Sequence, residues 1–209
     1  MTVLPMFPLE HPLLPGEPLG LNVFEPRYRT LVADVLAGDG RFGVVLIARG
    51  SEVGGGDERC DIGTVVNLVG HRVRASGQIH LACRGTDRLR VVRWLDDDPY
   101  PRAEIELWPD EPAGTPHEWA VARTPFTSVL DEAQEMYDQM AAQRGRPVVK
   151  LGAPPDLPPT EYTYITAANL PLGAADRYTV LTAPGPRDRL DAMIRALDDV
   201  LPILRARLD

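Results

Sequence analysis

Two cysteines and two histidines are the side chains of this sequence best suited to bind a metal ion. They lie in one stretch of the chain, as Cys60, His71, His80 and Cys83. A zinc knuckle pairs two cysteines as Cys-x-x-Cys, and this spacing is absent. In His80-x-x-Cys83 the two side chains would point to opposite faces of a strand, because side chains alternate along it. We therefore expect buried cysteines and surface histidines rather than a metal site.

Nucleotide chemistry would need a glycine-rich loop or a phosphate-binding lysine. The segment Gly38-Asp39-Gly40-Arg41-Phe42-Gly43 matches G-x-G-x-x-G, but a helix is predicted before it and a strand after it, the reverse of a dinucleotide site. The single lysine, Lys150, lies between Val149 and Leu151 and not in the Gly-Lys-Ser/Thr of a phosphate loop. We expect no cofactor, and we interpret the glycine motif as a helix stop followed by a turn.

Hydrolysis through a covalent intermediate would need a nucleophile beside a base. Ser128 is the best candidate nucleophile, but no base lies near it in the sequence. A serine–lysine dyad would have to use Lys150, which follows a predicted helix and precedes a proline-rich connector. That is a poor place to bury an amine and lower its pKa. The sequence therefore predicts a protein that is not an enzyme.

Arginines alternate along two predicted strands and could form a basic stripe for a polyanion. They are Arg72, Arg74, Arg88 and Arg90. Glu104 and Glu106 alternate in the same way on the next predicted strand. We expect these carboxylates to pair across the sheet with Arg88 and Arg90, which leaves a mixed-charge face rather than a phosphate track.

The composition is that of a folded protein with an acidic surface. The chain has 209 residues, 44% of them hydrophobic and 25% charged, and a net charge of -8. Both halves are acidic, which disfavours nucleic-acid binding because phosphate contacts supply most of that affinity. No apolar run reaches the roughly 18 to 20 residues that a bilayer requires, and the N-terminus lacks the pattern of a signal peptide. We expect a cytoplasmic protein that does not depend on disulfides.

The pattern of the chain changes near Pro112. Before it, short β-branched runs between turn residues predict strands at 3–9, 19–24, 42–49, 62–69, 78–84, 88–95 and 102–108. One helix interrupts them, with Pro26 in its first turn and Gly38 at its end. We expect an all-β, closed or nearly closed unit over residues 1–112, with this helix plugging one opening. The segment 51–59, with three consecutive glycines, predicts a mobile hairpin loop.

After Pro112 the apolar residues follow a helical period. Helices are predicted at 119–144, 161–169, 174–181 and 187–208, with a proline-rich connector at 152–159 and a kink at Pro202. The residues 113–209 therefore predict a small helical bundle, so that the fold class is α+β.

Several spaced motifs resemble the N-terminal domain family of Lon proteases. The opening of that family is similar to Leu4-Pro5-Met6-Phe7-Pro8-Leu9, Leu14-Pro15-Gly16-Glu17-Pro18-Leu19 and Val23-Phe24-Glu25-Pro26-Arg27-Tyr28. Further similar segments follow in order: Phe42-Gly43-Val44-Val45, Gly63-Thr64-Val65, Arg88-Leu89-Arg90-Val91, Pro99-Tyr100, 163–172, 178–181 and Arg189-Leu190. The resemblance covers nearly the whole chain and implies a PUA-like pseudo-barrel lobe followed by a helical lobe.

The box 24–28 has a structural interpretation beside the family resemblance. Pro26 would fix the first helical turn, Glu25 would place a negative charge at the helix N-terminus, and Phe24 and Tyr28 would anchor the helix to the barrel. Direct contact of the box with a ligand is the alternative.

The resemblance implies non-catalytic recognition of unfolded or exposed apolar polypeptide segments. A full-length Lon protease continues into an ATPase and a protease, and this chain is expected to act without them. A separate protease or chaperone is a candidate partner, which the sequence does not decide. The binding surface is expected between the two lobes or along an exposed sheet edge, bordered by 54–56 and 152–159. The resemblance assigns no residue to peptide binding and no oligomeric state. RNA binding by the pseudo-barrel lobe is the alternative function, and a hydrolase using Ser128 is a third.

Overall fold

The computed structural model describes residues 2–50 and 56–208 of the chain. The chain divides into two compact units, Met1–Pro109 and Asp110–Asp209. Among the described residues, the first unit contains all the strands and one helix, and the second contains four helices.

The first unit is a six-stranded sheet with one helix. Its elements in chain order are β1 (Thr2–Leu9), β2 (Pro18–Val23), α1 (Pro26–Ala37), β3 (Arg41–Arg49), β4 (Glu58–Val73), β5 (Ile79–Trp94) and β6 (Arg102–Leu107). The strands are ordered β2-β5-β4-β3-β1-β6, and β6 also pairs with β5. Five strands therefore close into a barrel, while β2 extends the sheet from the first half of β5. This pseudo-barrel confirms the predicted fold class.

The two faces of the sheet bury two separate clusters of apolar side chains. The barrel interior contains Leu4, Met6, Val45, Val65, Leu89, Val91, Ala103 and Ile105. The other cluster includes Phe7, Phe42, Val44, Val66, Leu81 and Cys83 together with Leu31, Val32 and Val35 of α1. Neighbouring strand residues such as Val44 and Val45 fall in different clusters because side chains alternate. Helix α1 thus covers the outer face of the sheet, and the prediction that it plugs a barrel opening is wrong.

A bulge directs the apolar side chains of the two halves of β5 to different clusters. The pairing of β4 with β5 shifts between Thr64 and Val66, whose partners are Arg88 and Gly85. From Thr64 to Val66 the chain of β4 advances by two residues, while β5 advances by three, from Gly85 to Arg88. The extra β5 residue reverses the face of the sheet to which the later β5 side chains point.

Two predicted strands, 78–84 and 88–95, are one continuous strand in the structure. Gly85 lies inside β5 and is buried. A Cβ at this position would lie 2.8 Å from the carbonyl oxygen of Leu14. The glycine therefore permits a close backbone approach and does not end the strand.

The loop predicted at 51–59 is wrong at its C-terminal end. Residues 51–55 lie outside the described residues, but Glu58 and Arg59 already belong to β4. The Arg59 guanidinium contacts the Asp57 carboxylate at 2.7 Å, and the side chains of both are largely buried. Arg59 also forms an ion pair with Asp97. The predicted loop therefore does not extend to Glu58 and Arg59.

The second unit contains the four predicted helices. They are α2 (Pro116–Gln143), α3 (Pro159–Asn169), α4 (Ala174–Thr182) and α5 (Pro186–Leu208). Helix α2 begins three residues earlier than predicted because Thr115 and Glu118 form a capping box. Helix α5 buries Leu190, Met193 and Leu197, as its apolar stripe predicts. Among the described helices, none combines the length and apolar character needed to cross a bilayer.

A buried arginine joins three segments of the helical unit. Arg189 of α5 has no exposed surface, and its guanidinium lies 4.0 Å above the Tyr164 ring. It donates to Thr163 Oγ1 at 2.9 Å, to the Tyr164 hydroxyl at 2.9 Å and to both carboxylate oxygens of Asp110. Asp110 also accepts a hydrogen bond from Thr160. The network connects the start of this unit, α3 and α5.

Replacing Arg189 by Met should lower the free energy of unfolding by about 3–5 kcal/mol, because it leaves the Asp110 carboxylate without its buried cation. The measurement is urea denaturation followed by circular dichroism. Arg205→Met is the matched control on the same helix, since its ion pair with Glu132 is exposed and should contribute about 1 kcal/mol or less. Equal losses for both variants would contradict the structural role of Arg189.

Stability should fall between pH 10 and pH 12. Burial raises the pKa of Tyr28 to about 12. Burial, reinforced by the 2.6 Å hydrogen bond to Asp34, raises the pKa of Tyr100 to about 12. In this window the unfolded chain loses these protons while the folded chain keeps them, so the free energy of unfolding decreases as pH rises.

Urea denaturation at pH 9, 10, 11 and 12 measures this effect. Tyr100→Phe should make the decrease shallower by up to about 1.4 kcal/mol per pH unit, because one of the two groups is removed. Identical slopes for Tyr100→Phe and the parent protein would contradict the assignment.

Candidate functional site

The four candidate metal ligands do not assemble into a site. Cys83 lies in the core, where burial raises the pKa of its thiol to about 11, and Cys60 is half-buried on β4. On the β4–β5 ladder His80 lies opposite Arg72 and His71 lies opposite Leu81. Within residues 2–50 and 56–208, no group of three or more His, Cys, Asp or Glu side chains could hold a metal ion.

The residues considered for catalysis and nucleotide binding lie in ordinary structural positions. Ser128 is exposed on α2, and its hydroxyl donates to the Thr124 carbonyl at 3.4 Å. Lys150 is exposed in the segment between α2 and α3. Gly38 caps α1, and Gly40 has a φ of 78°, as expected for a helix stop and turn before β3.

The predicted charge pairing on the barrel is half correct. Arg90 lies opposite Glu106 and contacts it at 3.5 Å. Glu104 pairs instead with Arg93, at 2.5 Å, because the register shifts between Val91 and Arg93. Arg88 is buried, and its guanidinium stacks 4.1 Å above the Trp108 ring. These arginines therefore do not form a basic stripe.

The sheet extends beyond the barrel as a three-stranded arm. We define the arm as β2, residues 79–84 of β5 and residues 68–73 of β4. Strand β2 pairs with β5 and is the terminal strand of the sheet. Strand β3 pairs with β4 only up to the Arg41–Asn67 pair. Among the described strands, residues 69–73 of β4 therefore pair with β5 alone, so the arm presents strand edges at β2 and at β4.

Three apolar side chains are exposed on or beside the arm. Phe24, which follows β2, has 58% of its surface exposed, and Val73 at the end of β4 has 59%. Val23, Ile79 and Val73 share one register row, so Val23 and Val73 are about 10 Å apart. Val69 occupies a bulge between Leu68 and Gly70 and is 70% exposed. Apolar surface beside a free strand edge is what an extended polypeptide can bind.

The box 24–28 contains both anchoring and exposed residues. Pro26 starts α1, and the Tyr28 ring stacks on Phe7 with 4.2 Å between ring centroids. The Arg27 guanidinium lies over the Tyr28 ring, 4.5 Å from its centroid, and pairs with Glu25 at 3.1 Å. Tyr28 anchors the helix as predicted. The predicted anchoring by Phe24 is wrong, because this ring faces solvent.

The helical unit contains a groove of about 530 Å³ between α2, the connector and α3, lined by residues that include Arg123, Leu130, Pro154 and Tyr162. Arg123 lies over the Tyr162 ring and donates to the Pro155 carbonyl at 2.7 Å. The groove has an apolar floor, and both basic and acidic side chains line it.

Side-chain hydrogen bonds anchor residues 149–151, just before the connector, to α2. Gln134 of α2 accepts from the Leu151 N–H at 2.9 Å and donates to the Val149 carbonyl at 2.9 Å. A Cβ on Gly152 would lie 2.9 Å from Leu130, so the backbone packs closely on α2. Together with the hydrogen bond from Arg123 to the Pro155 carbonyl, these contacts hold the start of the connector against α2.

A closed five-stranded barrel with an appended strand, followed by four helices, is the fold of Lon N-terminal domains. The Lon N-terminal domain protein from Xanthomonas campestris is 28% identical, with a TM-score of 0.63 over 93% of this chain and 98% of that one. The N-terminal domain of the Mycobacterium avium complex Lon protease has a TM-score of 0.64 over 95% of this chain and 99% of that one. Its identity is 14%, so it supports the fold alone.

The chain belongs to the family of the ATP-dependent protease La (LON) substrate-binding domain, whose family model matches residues 3–199. A Lon protease from Syntrophus aciditrophicus (strain SB) is 27% identical over 109 residues. This match spans 50% of the present chain and 14% of that relative's length. The family resemblance predicted from the spaced motifs is confirmed.

The arm is the feature that the sequence patterns did not predict. The signal in the sequence was the gap of only three residues between the predicted strands 78–84 and 88–95, which together form the 16-residue strand β5. The predicted break at Gly85 hid this length.

Replacing Gln134 by Ala should release the connector. Loss of two hydrogen bonds should raise the hydrogen-exchange rate of the Leu151 amide by about fivefold or more. Gln139→Ala, an exposed position on the same helix, is the control and should leave this rate unchanged. The measurement is hydrogen exchange resolved by nuclear magnetic resonance, and an unchanged rate in Gln134→Ala would show that the amide is protected by other contacts.

Proposed function

We propose that this chain recognises unfolded polypeptide segments, or segments that expose apolar side chains, without catalysis of its own. Membership in a substrate-binding domain family supports a recognition role. We assign binding to the arm because the Phe24 ring is exposed beside the terminal strand β2. A protease or chaperone that receives the bound polypeptide would be the second partner.

The arm has the two features that binding of an extended chain requires. Its open strand edges offer backbone N–H and C=O groups that can pair with an added strand. Phe24, Val69 and Val73 offer apolar contacts next to those edges. A client would therefore bind through its backbone and through the apolar side chains that it exposes, so clients of different sequence can share these edges.

Fluorescence anisotropy with a labelled, permanently unfolded polypeptide tests this proposal. Phe24→Ser should weaken binding about tenfold, because loss of a central aromatic contact costs about 1–2 kcal/mol. Val121→Ser is the matched control, since Val121 has the same 58% exposure but lies on α2. A labelled single-stranded RNA is measured in parallel at low and moderate salt.

Saturable polypeptide binding that survives moderate salt and requires Phe24 supports the proposal. Equal losses of polypeptide affinity in Phe24→Ser and Val121→Ser would show that the arm is not the binding surface. Tight, salt-sensitive RNA binding without polypeptide binding would transfer the function to nucleic-acid recognition.

A further inference from the structure

The arm has an outer face, opposite the side covered by α1. Three rows of residues cross its strands in register: Asn22–His80–Arg72, Gly20–Ala82–Gly70 and Pro18–Arg84–Asn67. The alternate β5 residues Leu81 and Cys83 belong to the core. Side chains alternate along a strand, so these three rows face away from that core.

The middle row forms a trough between two cationic rows. Gly20, Ala82 and Gly70 carry almost no side chain, and a Cβ built on either glycine meets nothing within 4 Å. A cavity of about 460 Å³ lies at the β4–β5 end of this row, lined by residues 70–72, Arg74 and residues 80–82. The trough is therefore open space with a backbone floor.

The charge of this face contrasts with the rest of the chain. Residues 62–86 contain three arginines and two histidines and no Asp or Glu, and β2 carries no charge. The whole chain has a net charge of -8. Arg84 donates to the Gly16 carbonyl at 2.8 Å and keeps its positive charge. A local basic surface on an acidic protein attracts an anionic partner to this face.

One buried polar atom beside the trough supports a ligand role. The Nε2 atom of His80 is buried and has no hydrogen-bond partner within the described chain. A buried polar atom without a partner costs free energy unless a ligand or water satisfies it. His80 lies in the row that borders the trough, directly opposite Arg72.

We propose that the outer face of the arm binds an extended polypeptide segment in which two carboxylates flank an apolar side chain. His80 and Arg84 are four residues apart on β5, a separation of about 13 Å, which equals the spacing of residues i and i+4 in an extended peptide. A segment Asp/Glu-x-apolar-x-Asp/Glu lying along β5 places its carboxylates at the cationic rows and its central side chain in the trough. This inference rests on the proposed function and adds to it a preference, set by the outer face of the arm, for segments with this spacing of carboxylates.

The face suits a polypeptide better than an RNA strand. Single-stranded nucleic acid is bound by aromatic platforms on which bases stack, and the three rows of this face contain no Phe, Tyr or Trp. The trough instead has small residues that leave room for one side chain between the charges.

The test is fluorescence anisotropy with three labelled peptides and the intact chain. The first peptide carries Glu-x-Leu-x-Glu, the second replaces both Glu by Gln, and the third places the two Glu side by side. The first should bind at least about fivefold more tightly than the others, since each charge contact contributes up to about 1 kcal/mol. Single-stranded RNA and the unfolded reporter polypeptide are measured in parallel.

Two kinds of variant test the charge of the cationic rows and the shape of the trough separately. Arg72→Gln and the trough-filling Gly70→Val should each weaken binding of the first peptide about fivefold. Gly20→Val fills the trough from another strand and provides a second variant if Gly70→Val disturbs folding. Arg93→Gln lies in the other half of β5, where it pairs with Glu104, and should leave binding unchanged.

Each outcome supports or overturns the assignment. Preference for the first peptide, lost in Arg72→Gln and in a folded trough-filling variant but kept in Arg93→Gln, supports it. Equal binding of the three peptides, or no effect of these variants, overturns it while binding of the unfolded reporter leaves the proposed function standing. Binding of RNA in preference to every polypeptide overturns both.

Discussion

The structure of the β unit depends on one extra residue in β5. Before the bulge, Leu81 and Cys83 point toward α1, and after it Leu89 and Val91 point into the barrel. On other strands, neighbouring residues such as Val44 and Val45 reach the two cores by simple alternation. The apolar β5 residues Leu81, Cys83, Leu89 and Val91 are all odd-numbered, so it is the extra residue that sends the first two and the last two to opposite faces. The part of β5 before this change of face extends beyond the barrel and forms the middle of the arm.

A buried guanidinium has a comparable role in the helical unit. Arg189 supplies several hydrogen bonds from one rigid, planar group, and they reach Asp110, Thr163 and Tyr164. An ammonium group could not satisfy these partners with the same geometry. A polar network of this kind is stable only when all its members find partners, so it selects one arrangement of the segments it joins.

The sequence predicted the helices well and the strands less well, for physical reasons that particular residues illustrate. Pro26, Gly38 and the apolar stripe of α5 act locally, and they marked helix positions and ends correctly. Gly85 was interpreted as a strand break because a glycine usually interrupts strands. Its actual constraint is the nearby Leu14 carbonyl, which is distant in sequence.

The candidate site was less predictable than the fold. Phe24 and Tyr28 both looked like anchors, since an aromatic residue beside a helix start usually packs inward. The structure separates them: Tyr28 stacks on Phe7, and Phe24 faces solvent. The cationic rows depend on strand register, and register depends on bulges that the pattern of residue types does not specify.

The open space above Gly20 and Gly70 makes the surface of the arm independent of the packing of the two cores. Neither glycine has a positive φ, and neither is crowded, so other residues fit at both positions without strain. The shape and charge of the arm can therefore change by single substitutions that leave the two cores intact. On the proposed function, related chains can acquire different client preferences at little cost in stability, and the arm is where such divergence should accumulate.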